Sequence, residues 1–126
     1  MSDKAIPIEI QGLNTDSGLE LCGGDYNLYF KSLRLYVSNM PQTLENMRIV
    51  TAETLRDYAA YAHGAKGICD YIGAEDARKA AYNLETMAKA GDLAGVLSKN
   101  ESFIKDVGNL VDRIRYWLVK NKLLTV

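Results

Sequence analysis

Proline is scarce in this chain of 126 residues, and its distribution is uneven. The two prolines are Pro7 and Pro41, and none occurs from Thr51 to Val126. A proline inside a helix removes a backbone hydrogen bond and clashes with the preceding turn. Its absence from the second half of the chain therefore favours long helices there.

The sequence also lacks an excess of charge of one sign. Lys and Arg number 15 against 16 Asp and Glu, and the net charge is -1. Binding to a phosphate backbone requires clustered positive charge, so we expect no nucleic-acid partner. No apolar run approaches the roughly 20 residues of a membrane span, and no signal-like apolar core follows Met1–Lys4. We therefore expect a cytoplasmic protein with no membrane partner.

Residues that form cross-links and metal sites are few. The two cysteines, Cys22 and Cys69, are expected to be free thiols, as is usual in the cytoplasm. His63 is the only histidine, which argues against a metal site built from several histidines, and we expect no metal site. Apolar residues make up 48% of the chain, which suits a single globular domain over residues 1–126. Residues 1–12 are expected to form a flexible or extended arm.

The N-terminal part of the chain predicts one short helix. Ile6–Ile10 has weak strand character. A short helix is expected over Asp16–Leu21, with Asn14 or Thr15 as its N-cap, and Gly23–Gly24 is expected to end it.

Two long helices are predicted next, because apolar residues recur at alternating spacings of three and four. The first begins after Asp25 as its cap, and Pro41 predicts a kink or a break into two segments near Asn39–Met40. The second opens at Thr51 and ends at Gly73.

Two further long helices complete the pattern. One covers about Ala74–Ala90, with Gly91 at its end, and the other covers Asp92–Lys120. The polar stretch Ser98–Ser102 and Gly108 are expected to loosen the last helix locally. The predicted fold class is all-α, an antiparallel, up-down four-helix bundle with a short extra N-terminal helix.

His63 lies on the second long helix, about 100° around the helix from the apolar seam at Ala62 and Ala65. At that angle the imidazole is expected at the edge of the bundle, in reach of solvent. Gly64 and Gly67 each lower helix stability by roughly 1 kcal/mol relative to alanine. Close approach of another surface to the helix would explain why glycine occurs at these positions. Lys66 follows one turn later. The small residues around the ring are Ala59, Ala60, Gly64 and Gly67.

This group of residues suits a phosphoryl acceptor. A large share of imidazole is unprotonated near neutral pH, because its ordinary pKa is about 6.5. The Lys66 cation can stabilise phosphoryl oxygens as charge builds on them. The chain has no glycine-rich ATP loop, but a partner with its own metal and acidic pocket can supply the remaining catalytic groups. We therefore expect phosphoryl transfer at His63.

The stretch from His63 to Ala74, HGAKGICDYIGA, resembles the signature of the histidine-phosphotransfer (HPt) family. In that signature the histidine is followed by lysine at +3, glycine at +4 and an apolar–glycine pair at +9 and +10. The run Gly18–Asp25, then Tyr29, is similar to the family's approach to the histidine helix. The resemblance covers about Gly12 to Leu118. It implies a four-helix bundle and reversible transfer between an aspartyl phosphate on a receiver domain and histidine Nε2.

The resemblance also implies roles for individual residues. His63 would be the phosphoacceptor, Lys66 would neutralise the phosphoryl charge, and Gly67 would leave room for the phosphoryl group. Family members often carry a glutamate or glutamine on the following helix that accepts a hydrogen bond from Nδ1, and Glu85 is the matching position. The residues expected to dock the receiver are Ala59, Ala60, Gly64, Asp70 and Tyr82.

The implied protein is a phosphocarrier with no kinase or ATPase activity of its own. Its expected partners are response-regulator receiver domains, a hybrid histidine kinase, or both. We expect no cofactor in the chain, with Mg²⁺ bound only by the partner receiver. The chain is expected to be a monomer.

The sequence departs from the family pattern beside the histidine and at +7. Gly64 and Ala65 replace the usual threonine or serine and leucine, and Asp70 replaces a small residue. Asp70 could repel a receiver's acidic pocket or pair with Lys66 at i,i+4, with an effect within about 1 kcal/mol. These departures favour an alternative function, a degenerate module that docks on a receiver or kinase without accepting phosphate. A third possibility is a helical scaffold or homodimer with His63 buried.

Some single residues also have simpler interpretations. Lys66 could be a solvated surface lysine, and Glu85 an exposed helix glutamate of no special role. Gly67 could be a packing glycine where two helices cross.

Overall fold

The computed structural model describes residues 8–125, and all of its regular structure is helical. The α-helices within that range are α1 (Thr15–Leu21), α2 (Tyr26–Met47), α3 (Leu55–Ile72), α4 (Glu75–Lys89) and α5 (Leu93–Lys120). A 3-10 turn over Ala52–Thr54 leads directly into α3. No strand occurs in the described range, so the predicted all-α class is confirmed.

The four long helices pack as a bundle. Helix α2 contacts α3 and α5, and α4 contacts the same two helices from the other side. Short connections join successive helices, which therefore run antiparallel. Helix α1 packs against α2 and α3. The predicted bundle with a short extra helix is confirmed. The largest fully buried side chains are Tyr29, Tyr36, Tyr58, Phe30, Leu33, Met40, Met47, Ile72, Leu84, Ile114, Leu118 and Val96.

Local capping explains where the helices begin. Asn14, Asp25 and Asp92 each accept a hydrogen bond from the backbone N–H three residues further along the chain. Of the two caps predicted for α1, the structure therefore selects Asn14. Thr51 and Thr54 form a reciprocal capping box at the 3-10 turn before α3.

Helix α2 runs without interruption through Pro41, so the predicted break into two segments is wrong. Pro41 lies on the exposed face. Met40 and Leu44 on either side of it are both buried and hold the two halves of the helix against the core. The apolar packing of α2 therefore continues across the proline.

Helix α5 is likewise continuous through Ser98–Ser102, where local loosening was expected. Asn100, at the centre of that stretch, is buried. Its Oδ1 accepts a hydrogen bond from the Tyr58 hydroxyl at 2.7 Å, and its Nδ2 donates to the Met47 carbonyl at 2.8 Å. A single polar side chain thus joins α5 to α3 and to the end of α2.

The turn between α3 and α4 is held by hydrogen bonds from residues outside these two helices. Gly73 has φ +80°, and a Cβ there would collide with the carbonyl oxygen of Asn14. The Asn14 backbone N–H donates to the Gly73 carbonyl at 2.8 Å, and its side chain donates to Glu75 at 3.1 Å. The Tyr29 hydroxyl donates to the Ile72 carbonyl at 2.8 Å. Only glycine fits at position 73, and Asn14 and Tyr29 hold the turn in place.

The segment before α1 forms no strand over its described part. Residues 8–10 have no regular structure, and Ile10 is buried against the core. The rest of the stretch for which strand character was predicted lies outside the described residues. None of the helices in the range 8–125 is long and apolar enough to cross a membrane.

Candidate functional site

His63 stands at the edge of the bundle, midway along α3. Its side chain is 65% exposed, while Ala62 and Ala65 on the core side are fully buried. The helical register predicted this placement, because His63 is one position away from the buried seam. The imidazole is accessible to another molecule.

Glu85 reaches the ring from the neighbouring helix. It belongs to the buried face of α4, together with Ala81, Leu84 and Ala88, and its side chain is only 5% exposed. Glu85 Oε2 lies 2.9 Å from His63 Nδ1, which is hydrogen-bond distance. The packing of α4 on α3 thus brings a buried carboxylate to an exposed ring.

Two lysines bind the same carboxylate. Lys66 Nζ lies 2.9 Å from Glu85 Oε1, and Lys89 Nζ lies 2.8 Å from Oε2. Burial opposes ionisation of Glu85, but the hydrogen bonds from Lys89, Lys66 and His63 outweigh it and lower the pKa of this carboxyl from 4.5 to about 2. Glu85 is therefore a carboxylate at neutral pH.

The charge of Glu85 determines which nitrogen of the neutral ring carries the proton. An ionised carboxylate only accepts hydrogen bonds, so His63 Nδ1 must be the donor in this contact. In the neutral ring the proton is then on Nδ1 and the lone pair is on Nε2. In this tautomer Nε2 is the ring nitrogen with an available lone pair.

The two glycines beside His63 face open space. Apart from its chain neighbours and the backbone of its own helical turns, a Cβ on Gly64 or on Gly67 would meet no atom of the described residues within 4 Å. The alternative that Gly67 is a packing glycine at a helix crossing is therefore wrong within residues 8–125. Both positions leave the backbone of α3 bare next to the ring.

The possible pair between Asp70 and Lys66 does not form. Asp70 Oδ1 lies 3.7 Å from Arg78 Nε instead, and both side chains are partly in solvent. Lys66 pairs with Glu85, because a buried carboxylate is stabilised more by a nearby cation than an exposed carboxylate is. Asp70 therefore leaves the charge of Lys66 beside the histidine.

The remaining predicted docking residues are placed unequally. Tyr82 is 53% exposed, and its ring centre lies 5.3 Å from Lys66 Nζ. Ala60 is exposed, but Ala59 is 7% exposed and belongs to the core cluster. Ala59 lies on the side of α3 that turns toward α4, so it contributes only to the floor of the groove beside His63.

That groove has a volume of about 680 Å³ and runs from the ring toward the start of α3. Its rim carries two cations that the sequence analysis missed, Arg56 and Lys89. The spacing i,i+4 between Glu85 and Lys89 on one helix was a signal that could have found the second of them. The lining residues are Ala52, Leu55, Arg56, Ala59, Ala60, His63, Glu85, Ala88, Lys89 and Gly91.

The described residues contain no group of three or more His, Cys, Asp or Glu side chains that could hold a metal ion. Cys22 and Cys69 are both free, as predicted, and both are buried. Burial raises the pKa of the Cys69 thiol from 9.0 to about 11, so it is not a candidate nucleophile.

Comparison with known families identifies the chain. The sequence profile of the Hpt domain matches residues 31–117, which is more than half of the chain and includes His63, Lys66, Gly67 and Glu85. No curated protein and no solved structure matches the chain. Hpt domains take part in phosphotransfer in phosphorelays, and they interact with receiver domains and histidine kinases. The matched range and the helical bundle together establish that this chain belongs to the Hpt domain family.

Proposed function

We propose that His63 is the phosphoacceptor of a phosphorelay intermediate. It takes a phosphoryl group from an aspartyl phosphate on a receiver domain and passes it on, or back, to a receiver. One observation carries the proposal: the chain's only histidine is exposed, with Nδ1 held by a buried carboxylate. That arrangement leaves Nε2 free and accessible.

The proposed step needs no proton transfer. The Nε2 lone pair attacks phosphorus, the P–O bond to the aspartyl oxygen breaks, and the receiver carboxylate leaves with the electron pair. The Nδ1 proton stays in place, so the phosphorylated ring carries a positive charge that faces the Glu85 carboxylate. Glu85 therefore stabilises the charge that develops on the ring, and the reverse step restores the neutral imidazole.

Lys66 and Gly67 are proposed to accommodate the phosphoryl group itself. Lys66 follows His63 by one turn, and its side chain is 25% exposed, so its ammonium group can reach oxygens attached to Nε2. Gly67 lies one turn from the ring and leaves open space there. Mg²⁺ and the acidic pocket are expected on the partner receiver.

The receiver is proposed to dock on the bare side of α3. Ala60 and Gly64 are exposed beside the ring, Tyr82 borders Lys66, and Asp70 marks the far end of the surface. Small side chains let a second backbone come close to the helix. Asp70 is expected to tune partner choice or rate, because its charge is shared with Arg78.

The proposal is tested by incubating the purified domain with phosphorylated receiver domains from the same genome. The wild-type chain should acquire an acid-labile, base-stable label, and His63→Gln should remain unlabelled. Loss of label in His63→Gln must occur with an unchanged helical circular dichroism spectrum. Failure of every receiver to label the wild-type chain would contradict the relay.

A docking module without phosphotransfer is the second candidate, and the exposed Asp70 on the docking side favours it. It predicts a complex with a receiver or kinase that forms equally well with His63→Ala and produces no label. Calorimetric titration of both proteins against the same receiver separates the two candidates.

A further inference from the structure

We propose that Lys89 is a positioning residue for phosphotransfer, because it keeps the Glu85 carboxylate neutralised while Lys66 turns to the phosphoryl group. This inference deepens the proposed function of His63 and rests on it. Lys89 lies outside the group of residues by which the family signature is recognised, and only the folded structure brings it to the ring.

The two lysines contact different oxygens of the Glu85 carboxylate. Lys66 contacts Oε1 at 2.9 Å, while Lys89 contacts Oε2 at 2.8 Å, the same oxygen that faces His63 Nδ1 at 2.9 Å. Glu85 itself is 3% exposed. Both lysines therefore contact one buried negative charge, each at a different oxygen.

The proposed reaction removes one of these two cations. Lys66 has a single ammonium group, and contact with phosphoryl oxygens draws it away from Glu85 Oε1. Removing a cation from a buried carboxylate is unfavourable, so without Lys89 the departure of Lys66 would leave only the charge developing on the ring to offset Glu85. Lys89 remains on Oε2 and lowers the free-energy cost of that transfer.

Lys89 is well placed to remain. It is one turn beyond Glu85 on α4, so its contact is local to that helix and does not depend on movement of α3. Its side chain is 66% exposed, which leaves the ammonium group partly hydrated. The lysine on α3 responds to the phosphoryl group, and the lysine on α4 holds the carboxylate in place.

The test uses the full chain and phosphoramidate, a small phosphoryl donor that requires no receiver. We expect Lys89→Gln to slow labelling of His63 about five-fold, a modest factor because the ion pair is partly exposed. Lys89→Arg should restore most of the rate. Lys79→Gln, an exposed lysine on the same helix, is the matched control and should react at the wild-type rate.

A double-mutant cycle distinguishes this role from a structural one. If Lys89 acts through the Glu85 carboxylate, then Lys89→Gln should have less than about a two-fold effect in a Glu85→Gln background. A full five-fold effect in that background would overturn the proposal, as would an unchanged rate in Lys89→Gln alone.

The outcome also separates the two proposals. Labelling by phosphoramidate that depends on Lys89, with no labelling by any receiver, would support the role of Lys89 and contradict the relay. Absence of any label on His63 both from phosphoramidate and from every receiver would overturn both.

Discussion

His63 Nδ1 lies 2.9 Å from Glu85 Oε2, so an exposed imidazole is oriented by a buried carboxylate. The two residues are on different helices, α3 and α4. The ring therefore has a fixed orientation only when the bundle is packed. A carboxylate at this contact also does more than an amide would, because it offsets the positive charge of a phosphorylated ring.

The ionised Glu85 should make stability dependent on pH in the acid range. Its pKa falls from 4.5 to about 2 in the folded chain, so the folded state favours the ionised form. Its contribution to the free energy of unfolding is fully present above the unfolded pKa and is lost as pH falls from 4.5 through about 2. The free energy of unfolding of Glu85→Gln should therefore decrease less on acidification than that of the wild type.

Urea denaturation of both proteins at several pH values between about 5 and 2 measures this effect. The stability advantage of wild type over Glu85→Gln should shrink steadily on acidification. Glu45→Gln is the control, because Glu45 pairs with Arg48 in solvent and should show little difference. A constant gap between wild type and Glu85→Gln across the range would contradict a depressed pKa.

Gly67→Ala should make the protein more stable and less active. Alanine gains about 1 kcal/mol over glycine within a helix, and within the described residues the new methyl group meets no atom beyond its own stretch of helix within 4 Å. That methyl group occupies the space proposed for the phosphoryl group, so transfer from a receiver should slow on the order of 10-fold. Melting temperature and labelling rate together measure the two effects.

Gly108→Ala is the matched variant for that comparison. Gly108 is also helical, and a Cβ there also meets nothing within 4 Å, but it lies on α5 away from the ring. It should gain similar stability and retain the wild-type transfer rate. Equal activity of the two alanine variants would remove the functional reason for the glycine at position 67.

Gly73→Ala should be severely destabilising. The position has φ +80°, and its Cβ would collide with the Asn14 carbonyl. Gly24 has the same φ but open space around it, so Gly24→Ala should lose only the left-handed strain of about 1–2 kcal/mol. Gly73→Ala should lose at least roughly 3 kcal/mol, because the collision adds to that strain. Chemical denaturation compares the pair, and equal losses would show that the Asn14 contact yields easily.

Asn100→Ala should destabilise the bundle by about 2–4 kcal/mol, because the Tyr58 hydroxyl and the Met47 carbonyl would both lose their buried partner. Asn109→Ala, at an exposed position of the same helix, should change stability by less than about 0.5 kcal/mol. Thermal and urea unfolding measure both variants. A loss in Asn100→Ala no larger than that in Asn109→Ala would mean that water replaces the side chain.

Much of the fold could be predicted from the sequence, because local signals determine it. Apolar spacing identified the four long helices, and the caps Asp25 and Asp92 were visible as short polar residues before each one. The position of His63 relative to the seam followed from helical geometry alone. The family resemblance then indicated Glu85 on the next helix as the partner of the ring.

The errors concern contacts between segments distant in sequence. A pair between Lys66 and Asp70 on the same helix was one possibility, but the buried Glu85 on α4 is the partner of Lys66. Asn100 was seen only as part of a polar stretch, since its partners lie 42 and 53 residues away in the chain. Pro41 predicted a break that packing on both sides of it prevents. Local patterns contain no information about which buried charge or carbonyl a side chain will meet.

The support for the α3–α4 turn has a practical consequence for anyone who excises this domain. The family profile begins at residue 31, but Asn14 and Tyr29, which hold Gly73 and Ile72, both precede that boundary. A fragment trimmed to the matched range would leave the Ile72 and Gly73 carbonyls without these donors and would uncover the far end of the histidine helix. Fusions and truncations of this protein should therefore start upstream of Asn14.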